Sequence, residues 1–145
     1  MVTIGYAAML EQFAPREAVE LAAFAEAHGF SGVMAADHFQ PWTPAQGQAG
    51  FVWNVLAAAA EHTTGDLGPV TAPTFRWHPA VVAQASATLA AMNPGRHWLG
   101  VGSGRRSTST WSAATGRRPP SASTACSRRW RSSRSCSPHR WPDAT

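Results

Sequence analysis

Short apolar segments alternate with helical segments over the first 104 residues, and this alternation restricts the possible folds more than any other feature. The apolar segments predict four strands, over residues 2–8, 31–39, 67–75 and 97–104. Three helices are predicted between them, over residues 14–30, 51–63 and 79–95. This order favours parallel strands joined by right-handed helical crossovers. The sequence therefore predicts an α/β fold, either an open doubly wound sheet or the first half of an eight-stranded barrel.

Proline and glycine mark the ends of the predicted elements. Pro15 and Pro79 lie where a helix tolerates proline in its first turn, and Gly29 suits the end of the first helix. Pro69 lies inside the third predicted strand. Because proline lacks a backbone N–H, we expect it to interrupt that strand.

Charge divides the chain after Gly104. Residues 1–104 contain three Arg and seven Asp or Glu, a net charge of −4, whereas residues 105–145 contain nine Arg and one Asp, a net charge of +8. The second region also has few aliphatic residues, which is typical of disordered chains. We therefore predict a folded domain over residues 1–104 and a disordered Arg/Ser-rich tail over residues 105–145.

The composition of the tail leaves one alternative of a different functional class. Its Arg pairs are mixed with three tryptophans, Trp111, Trp130 and Trp141, and such a mixture can bind nucleic acid through phosphate contacts and base stacking. Cys126 and Cys136 match no metal-binding spacing. The chain shows no long apolar run and no signal-peptide pattern, so we expect a cytoplasmic protein without a membrane partner.

Polar and aromatic residues follow three of the predicted strands. Asp37, His38 and Trp42 follow the second strand, residues 71–75 end the third, and the sequence GVGSG (100–104) ends the fourth. In both candidate folds the chemistry collects at the carboxyl ends of the strands, so these residues should lie on one face. A histidine there can act as an acid or a base near neutral pH, although a capping aspartate beside a solvent-facing histidine is equally compatible with this pair.

Four blocks, taken together, resemble one family. The blocks are EQFAPREAVELAAFAEAHGF, ADHFQPW, APTFRWHPAVVAQASATLAAMNPGR and LGVGSG. In this order they resemble the luciferase-like superfamily of barrel oxidoreductases and, within it, the deazaflavin-dependent glucose-6-phosphate dehydrogenase family. The resemblance extends over about residues 3–104. It implies the first four βα units of a TIM barrel that uses 8-hydroxy-5-deazaflavin, coenzyme F-420 (hereafter F420), as its hydride carrier.

The resemblance also implies roles for individual residues. Asp37 would hydrogen-bond the deazaflavin, His38 would handle the proton of a substrate hydroxyl, and Trp42 would flank the reacting centre. The cofactor ring would be lined by the backbone of Val70, Thr71 and Ala72 and by Ser103 and Gly104. The implied reaction takes a hydride from a CH–OH group of a sugar-phosphate-like substrate, in a protein whose intact relatives are homodimers. An FMN-dependent monooxygenase of the same superfamily remains the alternative.

The sequence departs from the family pattern in three places. Pro69 stands where the family has a small residue, and Ala72 where some members have Thr. After Gly104, Arg105 and Thr108 stand where the family has Glu and Asn. When GC-rich codons for RRSTSTWS are read one nucleotide earlier, they give Glu-Ala-Leu-Asn-Glu-His-Val-Val, which restores both residues. We therefore predict that the tail is out of frame and that this chain is truncated and catalytically inactive.

Overall fold

The computed structural model describes residues 2–73 and 76–102. Its strands are β1 (Tyr6–Ala8), β2 (Gly32–Ala36), β3 (Asp66–Thr71) and β4 (Gly100–Val101). Its helices are α1 (Pro15–Ala27), α2 (Val52–Ala60) and α3 (Pro79–Met92). All seven predicted elements are present, in the predicted order. The predicted tail, with both cysteines, lies outside the described residues.

The strands form one parallel sheet in the order β1-β2-β3-β4. Each helix connects two neighbouring parallel strands, so the sheet repeats a βαβ unit three times. Sequential order without reversal is that of a barrel, whereas a doubly wound sheet reverses its strand order at a switch point. The structure therefore confirms the α/β prediction and favours the partial barrel over the open sheet.

The hydrophobic core lies between the sheet and the helices. Val33, Ala35 and Leu67 are buried and belong to the same cluster as Val52 and Leu56 of α2. Successive strand residues point to opposite faces of a sheet, so the intervening residues point away from the helices. We call this opposite side the inner face, and Met34, Ala36 and Val70 lie on it, each only partly buried.

Helix α1 ends as its sequence predicts. Gly29 has a φ of +93°, and its N–H donates to the carbonyl of Glu26. The N–H of Phe30 donates to the carbonyl of Ala25. These two bonds form a Schellman motif, which requires the left-handed conformation that glycine adopts without strain.

The expected interruption of the third strand at Pro69 is wrong. Strand β3 continues through Pro69, which pairs with Ala35 of β2. The N–H of Leu67 donates to Arg96 on the β4 side, and by alternation the nitrogen of Pro69 faces the same side. Between the Leu67–His97 bridge and the Val70–Gly100 pair, β3 does not pair with the segment that leads into β4. The N–H that Pro69 lacks would therefore point into an unpaired stretch between β3 and β4. The pairing of β3 with β2 is not affected.

The amino end of the sheet is held by two side chains. The carboxylate of Glu26 accepts bonds from the backbone N–H groups of Thr64 and Gly65 and from the Thr64 hydroxyl. The guanidinium of Arg96 donates to the carbonyls of Gly65 and Thr63 at 2.8 and 2.7 Å. Both tie the α2–β3 turn, at the end of the sheet opposite the predicted site.

Candidate functional site

The carboxyl end of the sheet brings His38 against a buried carboxylate. Nδ1 of His38, which follows β2, is hydrogen-bonded to Oε1 of Glu11. Glu11 lies in the turn after β1 and is only 6% exposed, whereas the His38 side chain is 34% exposed. A carboxylate that accepts the Nδ1 proton fixes the ring tautomer and orientation and directs Nε2 to exchange protons.

Trp42 lies beside this pair. Its ring centroid is 4.9 Å from that of His38, with the planes inclined at 58°. The side chain of Gln46 accepts hydrogen bonds from the backbone N–H groups of Trp42 and Thr43, which shape the turn. The structure therefore brings together the two residues that the sequence predicts as catalytic.

Asp37 lies next to His38 in sequence but binds a different set of partners. Its Oδ2 accepts hydrogen bonds from the Thr71 hydroxyl at 2.8 Å and from Nε1 of Trp77 at 2.9 Å. Its Oδ1 forms an ion pair with the guanidinium of Arg76. The Asp37 side chain is only 1% exposed. We call Asp37, Thr71, Arg76 and Trp77 the Asp37 cluster.

Aromatic rings surround the cation of this cluster. The guanidinium carbon of Arg76 lies 5.7 Å from the ring centroid of Phe39 and 5.1 Å from that of Trp77. The Trp77 ring in turn packs against Phe51, with centroids 5.2 Å apart. These contacts join the β2–α2 and β3–α3 connections, because cation–π and ring contacts hold both segments at one place.

The carboxyl ends of β3 and β4 form a wall of small residues at the same edge of the sheet as His38. Val70 pairs with Gly100 across β3 and β4, and the N–H of Gly102 donates to the carbonyl of Thr71. A Cβ at Gly100 would lie 2.9 Å from Cγ2 of Val70, so a side chain there would require Val70 to move. Such a wall lets a flat ring approach the backbone closely. These residues therefore fit a deazaflavin ring. Val70, Thr71 and Ala72 lie at the carboxyl end of β3, and their contact with the cofactor stays a prediction.

Some site residues fall outside the sequence prediction, and some predicted residues fall outside the described structure. Ser103 and Gly104 lie beyond the described residues. Glu11, Arg76 and Trp77 were not predicted, although Glu11 opens the first block of the family resemblance and also follows a strand. Within residues 2–73 and 76–102, no group of three His, Cys, Asp or Glu could hold a metal ion, and no helix could cross a membrane.

The parallel βαβ units and the sequential strand order define a partial barrel of the luciferase-like type. The sequence profile of the luciferase-like monooxygenase family matches residues 2–123, which is most of the chain. The chain belongs to this family. The match extends past residue 104, where the sequence predicts that the resemblance ends.

Within the family, the chain is similar to F420-dependent enzymes. It is 55% identical over 103 residues to the F420-dependent glucose-6-phosphate dehydrogenase of Mycobacterium avium (strain 104), covering 70% of this chain and 31% of that protein. It is 50% identical over 103 residues to the enzyme of the same name from Mycobacterium tuberculosis (strain ATCC 25618 / H37Rv), with the same coverage. The chain thus spans about a third of the length of these curated relatives.

Solved structures agree with this placement. An F420-dependent secondary alcohol dehydrogenase in complex with an F420-acetone adduct superposes with a TM-score of 0.71 and 38% identity, covering 81% of this chain and 36% of that chain. A type II Baeyer-Villiger monooxygenase with FMN, from Pseudomonas putida, superposes with a TM-score of 0.68 at 18% identity, covering 88% of this chain and 37% of that chain. The second comparison supports the fold alone.

Proposed function

We propose that this chain is the N-terminal part of an F420-dependent oxidoreductase that removes a hydride from a CH–OH group of a small substrate. The observation that carries the proposal is the His38–Glu11 pair, which lies at the carboxyl end of the sheet, the same edge as the wall of small residues. Alcohol oxidation by hydride transfer needs a base for the hydroxyl proton, and this pair supplies one.

The chain's own residues have defined parts in this reaction. F420, when bound, supplies the carbon that accepts the hydride. The carboxylate of Glu11 accepts a hydrogen bond from Nδ1–H of His38, which leaves the lone pair of Nε2 to accept the proton of the substrate hydroxyl. Trp42 packs against one side of the His38 ring and restricts its orientation. The backbone of Val70–Ala72, at the end of β3, would hold the flat ring.

A sugar phosphate is the substrate class we propose, because the relatives named above are glucose-6-phosphate dehydrogenases. We also propose that the protein is located in the cytoplasm. The proposal also includes the frame slip after Gly104, because Arg105 and Thr108 replace the Glu and Asn expected there. Without that Glu, a second acid–base group is missing, and we expect this chain to turn over very slowly if it reacts at all.

The first test is cofactor choice. We expect the purified chain to quench or shift the fluorescence of added F420 more strongly than that of FMN at the same concentration. Preferential FMN binding would favour the flavin monooxygenase alternative and overturn the proposal, as would binding of neither cofactor.

The second test separates binding from chemistry. F420 reduction with glucose 6-phosphate is followed over long incubations, in this chain and in a version whose frame is restored after Gly104. In the restored protein, His38→Ala should lower kcat by about 10²–10⁴-fold, the usual contribution of a general base, while F420 affinity changes little. A variant with unchanged kcat would remove His38 from the mechanism.

A further inference from the structure

Asp37 follows β2, and its side chain lies on the side of the sheet that the helices cover. Val33 and Ala35, four and two residues before it in β2, are both buried in the core cluster. Thr71, its hydrogen-bond donor, follows Leu67 and Pro69 in the same alternation on β3 and is also buried. Strand alternation therefore places the Asp37 carboxylate on the helix-covered side, away from the inner face.

The partners of Asp37 come from the connection that follows β3. Arg76 and Trp77 lie just before α3, and both bind the Asp37 carboxylate. Arg76 also donates to the backbone carbonyl of Asp37 at 3.3 Å. At the same place, the N–H of Asp37 donates to the carbonyl of Val70 at 2.8 Å. One residue thus binds both the end of β3 and the connection beyond it.

The contacts of the Asp37 carboxylate are buried, so water and other groups do not readily replace its partners. The Asp37 side chain is 1% exposed and that of Arg76 is 16% exposed. Loss of one partner of a buried ion pair leaves an uncompensated charge and is strongly destabilising, whereas replacing both partners by well-packed uncharged residues of similar volume removes that charge and is often tolerated. The Asp37 carboxylate therefore keeps Arg76, Thr71 and Trp77 as its partners.

We infer that Asp37 is a positioning residue, which binds Arg76 and Trp77 and so holds the backbone of Val70–Ala72 in place for the cofactor ring, without contacting the cofactor itself. The inference rests on the proposed function for its cofactor and on the Asp37 cluster for its geometry. It differs from the role that the family resemblance implies, a direct hydrogen bond from Asp37 to the deazaflavin.

A second-site rescue distinguishes the two roles. Asp37→Asn leaves the Arg76 charge unpaired, and we expect F420 affinity to fall by about tenfold or more. In the double variant Asp37→Asn/Arg76→Gln the two side chains are neutral amides that can hydrogen-bond each other. Affinity should then return to within about threefold of the wild type. A direct ligand would remain lost, so a double variant as weak as Asp37→Asn would overturn the inference.

Hydrogen–deuterium exchange of the full chain tests the same geometry without a ligand. Peptides covering residues 70–78 should exchange faster in Asp37→Asn and return to the wild-type rate in the double variant. Glu20→Gln is the matched control, since it removes an exposed carboxylate of α1 and should leave these peptides unchanged. Unchanged exchange in Asp37→Asn would overturn the inference.

The two readouts also separate this inference from the proposed function. If the wild-type chain binds no F420, the proposed function fails, together with the cofactor part of the inference. The exchange rates then still decide whether Asp37 holds the end of β3 and the connection to α3.

Discussion

Nδ1 of His38 is bound to the carboxylate of Glu11, which lies 27 residues earlier in the chain, so the turns after β1 and β2 meet at one acid–base pair. Backbone bonds support the contact, because the N–H groups of Gln48 and Gly50 donate to the carbonyls of Glu11 and Leu10. The β2–α2 connection is therefore fixed against the β1–α1 turn on both sides of the pair, and the histidine has a defined orientation before any substrate binds.

This arrangement predicts that the two side chains are energetically coupled. His38→Ala should lower the free energy of unfolding by about 1–3 kcal/mol, because it leaves the buried Glu11 carboxylate without its partner. Glu11→Gln introduced into that variant should recover part of the loss. Urea unfolding of the wild type, both single variants and the double variant completes the cycle. Additive single effects would show that the pair is not coupled.

Gly68 should not tolerate a side chain. A Cβ at this position would overlap the indole ring of Trp98, so Gly68→Ala should destabilise the fold by about 1–3 kcal/mol, the usual cost of overpacking. Thermal unfolding measures the effect. Trp98→Leu should reduce the cost of Gly68→Ala, since it removes the ring that the methyl group meets.

Gly47→Ala is the control for this steric argument. A Cβ at Gly47 meets no atom within 4 Å, so the stability should change by no more than about 0.5 kcal/mol. Equal effects at Gly68 and Gly47 would mean that close packing against Trp98 is not the cause.

Glu26 should make stability depend on acid pH. The hydrogen bond from the Thr64 hydroxyl, more than any other contact, holds the pKa of Glu26 below its usual value. A lowered folded-state pKa stabilises the fold above the unfolded value of 4.5, and this contribution is lost as the pH falls through the folded-state pKa. Glu26→Gln should therefore lower the urea midpoint at pH 6 but have little effect near pH 2.

The control for Glu26 is Glu20→Gln, an exposed position on the same helix. It should leave the acid dependence of the urea midpoint as in the wild type. A Glu26→Gln variant with an undiminished acid dependence would contradict the assignment of this effect to the Glu26 contacts.

His97 should make stability depend on pH just below neutrality. Burial lowers the pKa of His97. Oγ of Ser86 lies 2.7 Å from Nε2 of His97. The unfolded chain then binds more protons than the folded chain between the folded-state pKa and about 6.5. Stability is fully present above that range and falls as the pH decreases through it. His97→Gln should remove this slope in unfolding curves recorded between pH 7.5 and 5, whereas His62→Gln, at an exposed position, should retain it.

The fold was predictable because its signals are local. Apolar strand segments, Pro15, Gly29 and Pro79 each act within a few residues, and they located all seven elements. The strands are shorter than predicted because an apolar segment forms a strand only where a neighbour pairs with it, as β1 does over three residues. The effect of Pro69 could not be predicted, because it depends on which neighbour its nitrogen faces.

The site was only partly predictable because its contacts are distant in sequence. His38 and Trp42 follow one strand and share a motif, so sequence reasoning found them together. Arg76 and Trp77 bind Asp37 across 39 and 40 residues, and nothing in the local pattern of either segment specifies the other. Their contacts follow from the parallel pairing of β2 with β3, which brings the two strand ends to the same edge.

The gene should contain a shift of the reading frame near codon 104. Arg105 and Thr108 stand where the family resemblance places Glu and Asn, and a reading one nucleotide earlier can restore both. Resequencing the genomic DNA across codons 95–145 should therefore reveal one added or missing base near codon 104, with an open frame beyond it. In the sequence, the restored Glu would follow β4, as His38 follows β2. Under the proposed function, it would supply the second acid–base group. Confirmation of the frame as printed would instead leave His38 and Glu11 as the acid–base groups that the described residues bring to this edge.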